Sequence, residues 1–275
     1  MVVRFAKLYG GMSMIQDSYE VFKDEVFKLT KIDLNLYKER QMKRRIDTLI
    51  GKNNIDTYKA YVELLKKDKD KYEEFVNYLT INVSEFYRNP EQWKLLEESI
   101  LPELFRKNGK SLKIWSAACS TGDEPYSLVM LLSKFMPLSN IEIIATDIDK
   151  QILAQAKAGM YTDKSLKGLP KEFIEKYFDK INDKTYAISD KVKERVKFEQ
   201  HNLLKDPYPA NCDLIVCRNV MIYFTEEAKI DIYRKFNAAL KPESILFVGS
   251  TEQIVQPKSL GFQSVYSFFY RKIEN

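Results

Sequence analysis

Along the first third of the chain, apolar positions recur at helical spacing. Val21, Phe22, Val26 and Leu29 form one set, Tyr58, Tyr61, Val62 and Leu65 another, and Tyr72, Phe75, Val76 and Leu79 another again. Each set lies on one face of a helix. Breaks at Lys31 to Leu34 and Gly51 to Asn54 divide the region from Tyr19 to about Phe105 into separate helices. After Asn108-Gly109 the pattern changes. Short apolar runs at Leu112 to Cys119, Ile141 to Thr146, Val196 to Glu199, Leu214 to Cys217 and Ile245 to Gly249 read as strands. Between them Glu124 to Phe135, Lys150 to Lys157 and Glu226 to Leu240 read as helices. Such alternation predicts a parallel, doubly wound sheet.

Two segments interrupt the rhythm. From Tyr161 to Arg195 a short helix (Lys171 to Tyr177) and polar stretches with alternating pieces such as Tyr186 to Ile188 predict a small antiparallel insertion. The aromatic-rich alternation from Phe262 to Lys272 predicts an antiparallel hairpin at the sheet edge. A mostly parallel sheet closed this way is the layout of class I methyltransferases. The expected fold is thus α/β, a Rossmann-like mixed sheet with a small N-terminal helical domain and a small antiparallel β insertion. Residues 1–17 have no clear periodicity and are expected to be a tail, with Met12 or Met14 as alternative starts. A helical domain and linker are expected over 18–90 and the catalytic domain over 91–275, with the β subdomain at about 161–195.

Composition narrows the chemistry. A length of 275 residues, 45% of them hydrophobic, supports two cores. No apolar run reaches the roughly 18–20 residues that cross a bilayer, and Met1 to Asp17 lacks a signal-peptide layout, so a cytoplasmic protein is expected. Cys119, Cys212 and Cys217 are odd in number, show no CxxC spacing and lie in or beside apolar runs. That argues against disulfides and structural zinc. His201 is the only histidine, which disfavours His-based metal sites and Ser-His-Asp chemistry; no metal is expected. The net charge of +5 is spread among acidic neighbours and permits an acidic partner.

Within that frame, Lys113 to Tyr126 combines a buried strand, a turn of small residues and a helix start marked by Glu124 and Pro125. Small side chains let backbone approach a ligand, and a helix start presents free N–H groups. Asp123 and Glu124 would repel a phosphate but attract an ammonium or sulfonium, which points to S-adenosylmethionine (SAM) rather than a dinucleotide. A plain capping turn with first-turn acids would have the same residues. Asp147 ends the strand Ile143 to Thr146, where an acid accepts both ribose hydroxyls, while Asp149 serves as a helix cap. Arg218, Asn219 and Tyr223 follow the run Cys212 to Cys217, at the edge that faces the ligand crevice. An arginine there suits a carboxylate substrate, or pairs locally with a buried acid. Arg40, Lys43, Arg44 and Arg45 form a basic cluster, with Arg40 and Arg44 one helical turn apart.

Taken together, Asn82 to Arg88, Trp115 to Ser127, Ala145 to Asp149 and Cys217 to Phe224 resemble the signature blocks of the CheR family of chemotaxis receptor methyltransferases. The resemblance runs from about Tyr19 to Lys272. It implies a SAM-dependent protein-glutamate O-methyltransferase that esterifies glutamates on the cytoplasmic helices of chemotaxis receptors, with S-adenosylhomocysteine as product. By that resemblance Asn82, Ser84 and Arg88 contact SAM, with Arg88 also near the reacting methyl. Asp123 or Glu124 holds the methionine amino group, Asp147 the ribose, and Asn202-Leu203 the adenine neighbourhood. Arg218, Asn219 and Tyr223 line the methyl-transfer site. Arg40, Lys43, Arg44 and Arg45 become the receptor surface. The family commonly has Glu where Asp123 stands, which leaves the amino-group anchor open between Asp123 and Glu124. The insertion from Asp179 to Lys193 lacks the longer glycine-containing loop of members that dock on a receptor's C-terminal peptide, so no such tether is expected. A monomer is expected, without nucleic-acid binding or membrane insertion. The fold and basic charge also admit a nucleic-acid methyltransferase, against which the missing proline pair near Asn219 counts, or a non-catalytic SAM-binding signalling adaptor.

Overall fold

The computed structural model describes residues 18–273; the expected tail over residues 1–17 lies outside them. The described residues divide into two compact units, 18–81 and 82–273.

In the first unit the helical spacing is realised as α1 (Tyr19–Thr30), α2 (Glu39–Lys52), α3 (Tyr58–Lys67) and α4 (Lys69–Thr80). The break at Lys31 is a left-handed C-cap, φ 62°, whose N–H returns to Phe27 O. Thr57 and Asp68 cap α3 and α4 by accepting from Ala60 N and Lys71 N. The apolar faces meet in an aromatic core in which Phe22 packs on Tyr58 at 4.7 Å and Phe75 lies edge-on to Tyr61 at 5.7 Å.

The second unit opens with α5 (Pro90–Leu95), which runs through a π turn (Leu96–Ile100) into α6 (Leu101–Asn108). Strands β1 (Ile114–Ala117) and β2 (Ile143–Asp147) follow, separated by α7 (Asp123–Leu132), and α8 (Lys150–Ala158) follows β2. The interruption is a three-stranded antiparallel sheet of β3 (Met160–Thr162), β4 (Phe178–Asn182) and β5 (Thr185–Ile188), in the order β3-β5-β4. It carries the short helices α9 (Asp163–Leu166), α10 (Lys171–Tyr177) and α11 (Asp190–Lys193). The main sheet continues with β6 (Val196–Gln200), β7 (Cys212–Cys217), α12 (Glu226–Ala239) and β8 (Leu240–Val248), and ends with β9 (Phe262–Tyr266) and β10 (Phe269–Lys272).

The order of the main sheet is β6-β2-β1-β7-β8-β10-β9. β1 pairs in parallel with β2 and β7, and the terminal hairpin adds to β8 antiparallel, with β9 outermost. This is the class I methyltransferase arrangement. The order reverses direction between β1 and β7, which opens a crevice beyond their carboxyl ends.

Most element bounds shift by one to three residues from expectation, and two of the shifts bear on the site. The run Leu112 to Cys119 is strand only to Ala117, because Ala118 and Ser120 adopt φ of 61° and 50° and turn the chain out of the sheet. β8 begins at Leu240 rather than Ile245, directly after α12.

Candidate active site

The turn between β1 and α7 is assembled by its neighbours. Gly122, φ 87°, has no room for a side chain: a Cβ there would lie 3.0 Å from Ala156 Cβ and 3.2 Å from Tyr161 Oη. Tyr161 Oη donates to Thr121 O at 2.7 Å. Cys119 N donates to Thr146 O and Ser120 N to Asp147 Oδ2, each at 2.9 Å, which draws the turn onto the end of β2.

Three carboxyls are buried around this turn. Asp123 is fully enclosed and receives a hydrogen bond from Thr121 Oγ1, while its Oδ1 has no hydrogen-bond partner among the described residues. Burial pushes its carboxyl above the ordinary range, opposed by the Thr121 and Ser84 hydroxyls. Glu124, with a side chain 14% exposed, accepts from Ser116 Oγ at 2.7 Å and has Arg218 Nη1 3.8 Å from Oε2. Burial still pushes it up to about 7, against the pull of Arg218 and Ser116. Asp147 accepts from the Ser120 and Asp149 amides, yet burial pushes it up to about 6. The Cys119 thiol beside them is pushed well up by burial and stays protonated.

An orphan carboxylate oxygen on Asp123 and the desolvated carboxyls of Asp123 and Asp147, for which no ion pair is seen among the described residues, fit a ligand that brings a positive charge and hydroxyl donors, as SAM does. The same desolvation has a consequence for stability. Between the ordinary value of 4.5 and about 7, the folded Glu124 holds a proton that the unfolded chain has released. Stability therefore falls as pH rises through that window and stays lower above it. The thermal midpoint of the ligand-free protein is expected to drop between about pH 5 and about pH 8, and to drop less in Glu124→Gln. Calorimetry showing equal slopes for parent and variant would contradict this.

The segment from Asn82 to Asn89 lies along the same edge. Asn82 Nδ2 donates to Asp149 Oδ2 at 2.8 Å, while Asp149 Oδ1 caps α8 through Gln151 N and Ile152 N. Phe86 N donates to Ser165 O and Tyr87 N to Ser127 Oγ. The rings of Phe86 and Tyr87 are buried against Tyr161 and Trp93, at 4.7 and 4.8 Å. The guanidinium of Arg88 is half-buried, and among the described residues its single hydrogen bond is a long one, 3.4 Å from Nη1 to Val83 O.

Arg218 follows β7 and is 2% exposed at its side chain. Its Nη2 donates to Arg88 O at 2.8 Å, Asn89 Oδ1 at 3.0 Å and Gln92 Oε1 at 2.8 Å, and the guanidinium stacks 4.7 Å from the Phe247 ring. Asn219 is left-handed, φ 61°, and Tyr223 ends a short 3-10 turn, Met221–Tyr223. Asn202 and Leu203 lie beyond β6, where His201 N donates to Asp147 O at 2.9 Å and Asn202 Oδ1 accepts from Leu204 N. The fold thus brings Asn82, Ser84, Arg88, Asp123, Glu124, Asp147, Asn202, Leu203, Arg218, Asn219 and Tyr223 to one carboxyl edge. Gln92 and Glu252 belong to the same network and escaped the sequence reading. Glu252 carried a readable signal, an acid just beyond an apolar strand, as at Asp147. Gln92 carried none.

In the first unit the basic cluster separates by face. Arg40 and Arg44 are exposed on α2. Lys43 pairs with Asp47 at 3.0 Å, and Arg45 Nη2 donates to Tyr78 O at 2.7 Å with its guanidinium 4.6 Å from the Tyr78 ring.

Residues 17–80 match the family model described as CheR methyltransferase, all-alpha domain, and residues 82–267 match CheR methyltransferase, SAM binding domain. A chemotaxis protein methyltransferase of Listeria monocytogenes is 40% identical over 258 residues, 94% of this chain and 98% of that protein. One from Borreliella burgdorferi is 31% identical over 261 residues, covering 88% and 92%. Chemotaxis protein methyltransferase 1 of Pseudomonas aeruginosa is 33% identical over 254 residues, also covering 88% and 92%.

Proposed function

The chain belongs to the CheR methyltransferase family and is a SAM-dependent protein methyltransferase, and from that premise we propose that it esterifies glutamate side chains on the cytoplasmic helices of membrane chemotaxis receptors. One observation carries the reading. At a single sheet edge three desolvated carboxyls lie around a turn of small residues, while Arg88 beside them keeps a guanidinium engaged by no carboxylate among the described residues.

When bound, SAM supplies a methyl group made electrophilic by its sulfonium. Asp147 would hold the ribose, Asp123 or Glu124 the methionine amino group, and Asn202 and Leu203 the adenine. The unpartnered Oδ1 of Asp123 favours it as the amino-group anchor, with Glu124 answering Arg218. Asn82 and Ser84 line the cofactor side, and Asn82 is itself held by Asp149. Asn219 and Tyr223 line the transfer side. The acceptor carboxylate, with a pKa of about 4.3, is already ionised at neutral pH and needs no base. Arg88 aims it, and orientation of this kind supplies roughly 7–11 kcal/mol. Arg218 acts through Arg88: its guanidinium is taken up by the backbone and side chains of the segment carrying Arg88 rather than by the acceptor.

Arg40 and Arg44 form the receptor-facing stripe of α2, with Lys43 and Arg45 supporting the helix from its sides. Arg40→Glu/Arg44→Glu is expected to raise the KM for receptor membranes several-fold, to weaken the salt dependence of KM, and to leave kcat unchanged. Steady-state kinetics at two ionic strengths check this. β4 and β5 are joined through a tight turn at Asp183 and Lys184, with no long loop, so we retain a reading without a peptide tether. Among the described residues no helix is long and apolar enough to cross a membrane.

Incubation with tritiated SAM and receptor-bearing membranes should yield methanol released by alkali from receptor bands. Label in RNA or DNA with steep salt dependence would instead mark a nucleic-acid enzyme. SAM binding without ester would mark an adaptor.

A further inference from the structure

We propose that Glu252 is a positioning residue for methyl transfer, its carboxylate gathering the backbone amides that shape the loop carrying Asn219 and Tyr223. Glu252 lies just beyond β8 and is 5% exposed. Its Oε2 accepts from Asn219 N at 2.7 Å and Gly249 N at 2.8 Å, and its Oε1 accepts from Met221 N at 2.7 Å. One anion therefore closes the ends of two neighbouring strands, β7 and β8, onto each other.

The loop needs such a clamp. Asn219 turns the chain at φ 61°, a left-handed conformation that asparagine tolerates but that is one of several open to it, so the bonds to Glu252 select it. Backbone N–H groups turned toward one point form a concavity that suits an anion, and here the anion is built in. Gly249 leaves room for it: a Cβ there would run into Glu252 Oε2 and lie 2.8 Å from Asn219 N. Tyr233 Oη donates to Glu252 O at 3.4 Å and steadies the backbone behind the carboxylate. Burial pushes the carboxyl up, and the Asn219, Gly249 and Met221 amides oppose that push and favour the anion. A charge-assisted set of this kind fixes the loop more firmly than neutral hydrogen bonds would.

The inference rests on the proposed transfer reaction and is tested in two ways. Glutamine at 252 offers one acceptor oxygen and turns its NH2 toward an amide N–H. Glu252→Gln, verified as folded by circular dichroism, is expected to lower kcat on receptor membranes about tenfold or more while KM for SAM changes far less. A purely structural role would lower the thermal midpoint and leave the rate per folded molecule intact. Gly249→Ala keeps the carboxylate but displaces it. It is expected to show the same loss of kcat and decides the matter if Glu252→Gln does not fold. Independently, residue-resolved hydrogen exchange of the parent protein should show the Asn219, Met221 and Gly249 amides protected at least about a hundredfold more than those of the Asp183-Lys184 turn. A kcat within twofold of the parent in a folded variant overturns the proposal, as does exchange at turn-like rates. Exchange needs no acceptor, so a failure of the receptor assay in the parent is told apart from a failure of the clamp.

Discussion

Replacing Arg88 by alanine is expected to lower kcat about a hundredfold to a thousandfold, the cost of removing one preorganised charge or donor from a transfer site. The reason lies in what Arg88 does not do. Its backbone oxygen is tied to Arg218 Nη2 and to Trp93 Nε1, so its position is set without help from its side chain. The guanidinium keeps only a long contact with Val83 O. Truncation should therefore leave the fold intact and remove a group that acts on bound ligands. If Arg88 aims the acceptor, the dissociation constant for SAM should change less than about tenfold, since the loss falls on the transition state. Single-turnover transfer from tritiated SAM, with calorimetric titration of SAM alongside, separates the two quantities. A kcat within threefold of the parent would remove Arg88 from the proposed role. A large loss of SAM affinity with little change in kcat would make it a cofactor ligand only.

At about pH 8, where Glu124 is ionised, Arg218→Met is expected to destabilise the protein by about 3–5 kcal/mol, because it breaks a buried ion pair and leaves the other partner enclosed. The side chain serves Glu124 at 3.8 Å and three acceptors contributed by Arg88, Asn89 and Gln92. Without it the Asn89 and Gln92 side-chain oxygens lose the donor that Arg218 gives them, Arg88 O keeps only Trp93 Nε1, and Glu124 loses the cation that opposes its burial. Lysine retains the charge but lacks the planar fork, so Arg218→Lys should recover less than half of the loss. Adding Glu124→Gln to Arg218→Met should restore part of the stability, since the stranded carboxyl is removed with its partner. Urea denaturation of the parent, Arg218→Met, Glu124→Gln and the double variant checks the cycle, with Arg218→Lys measured alongside. A difference below about 1 kcal/mol for Arg218→Met would mean that the guanidinium faces solvent and is free for the acceptor.

These two arginines show how far composition and pattern reach. Both were readable as site candidates because they flank apolar strands or sit in a recognisable block. Their exposure was not readable. Arg88 projects into the ligand edge while Arg218 is walled in, and the difference arises from Trp93, Gln92 and Phe247, residues distant in the chain. The basic cluster on α2 behaves alike. Spacing put Arg40 and Arg44 on one face, but the capture of Lys43 by Asp47 and of Arg45 by Tyr78 depends on packing within the helical unit.

What the chain's order of residues determined by itself was local and periodic. The helices of the first unit, the alternating strands of the second, the small-residue turn after β1 and the acids at Asp123, Glu124 and Asp147 follow from side-chain spacing and from backbone preferences that act over a few residues. Only the tertiary structure decided which carboxyl keeps an unpartnered oxygen, which arginine is buried, and that Glu252 reaches across to the amides of Asn219 and Met221. Those outcomes turn on desolvation and on hydrogen bonds between strands far apart in sequence, and neither has a signature in any short stretch of residues.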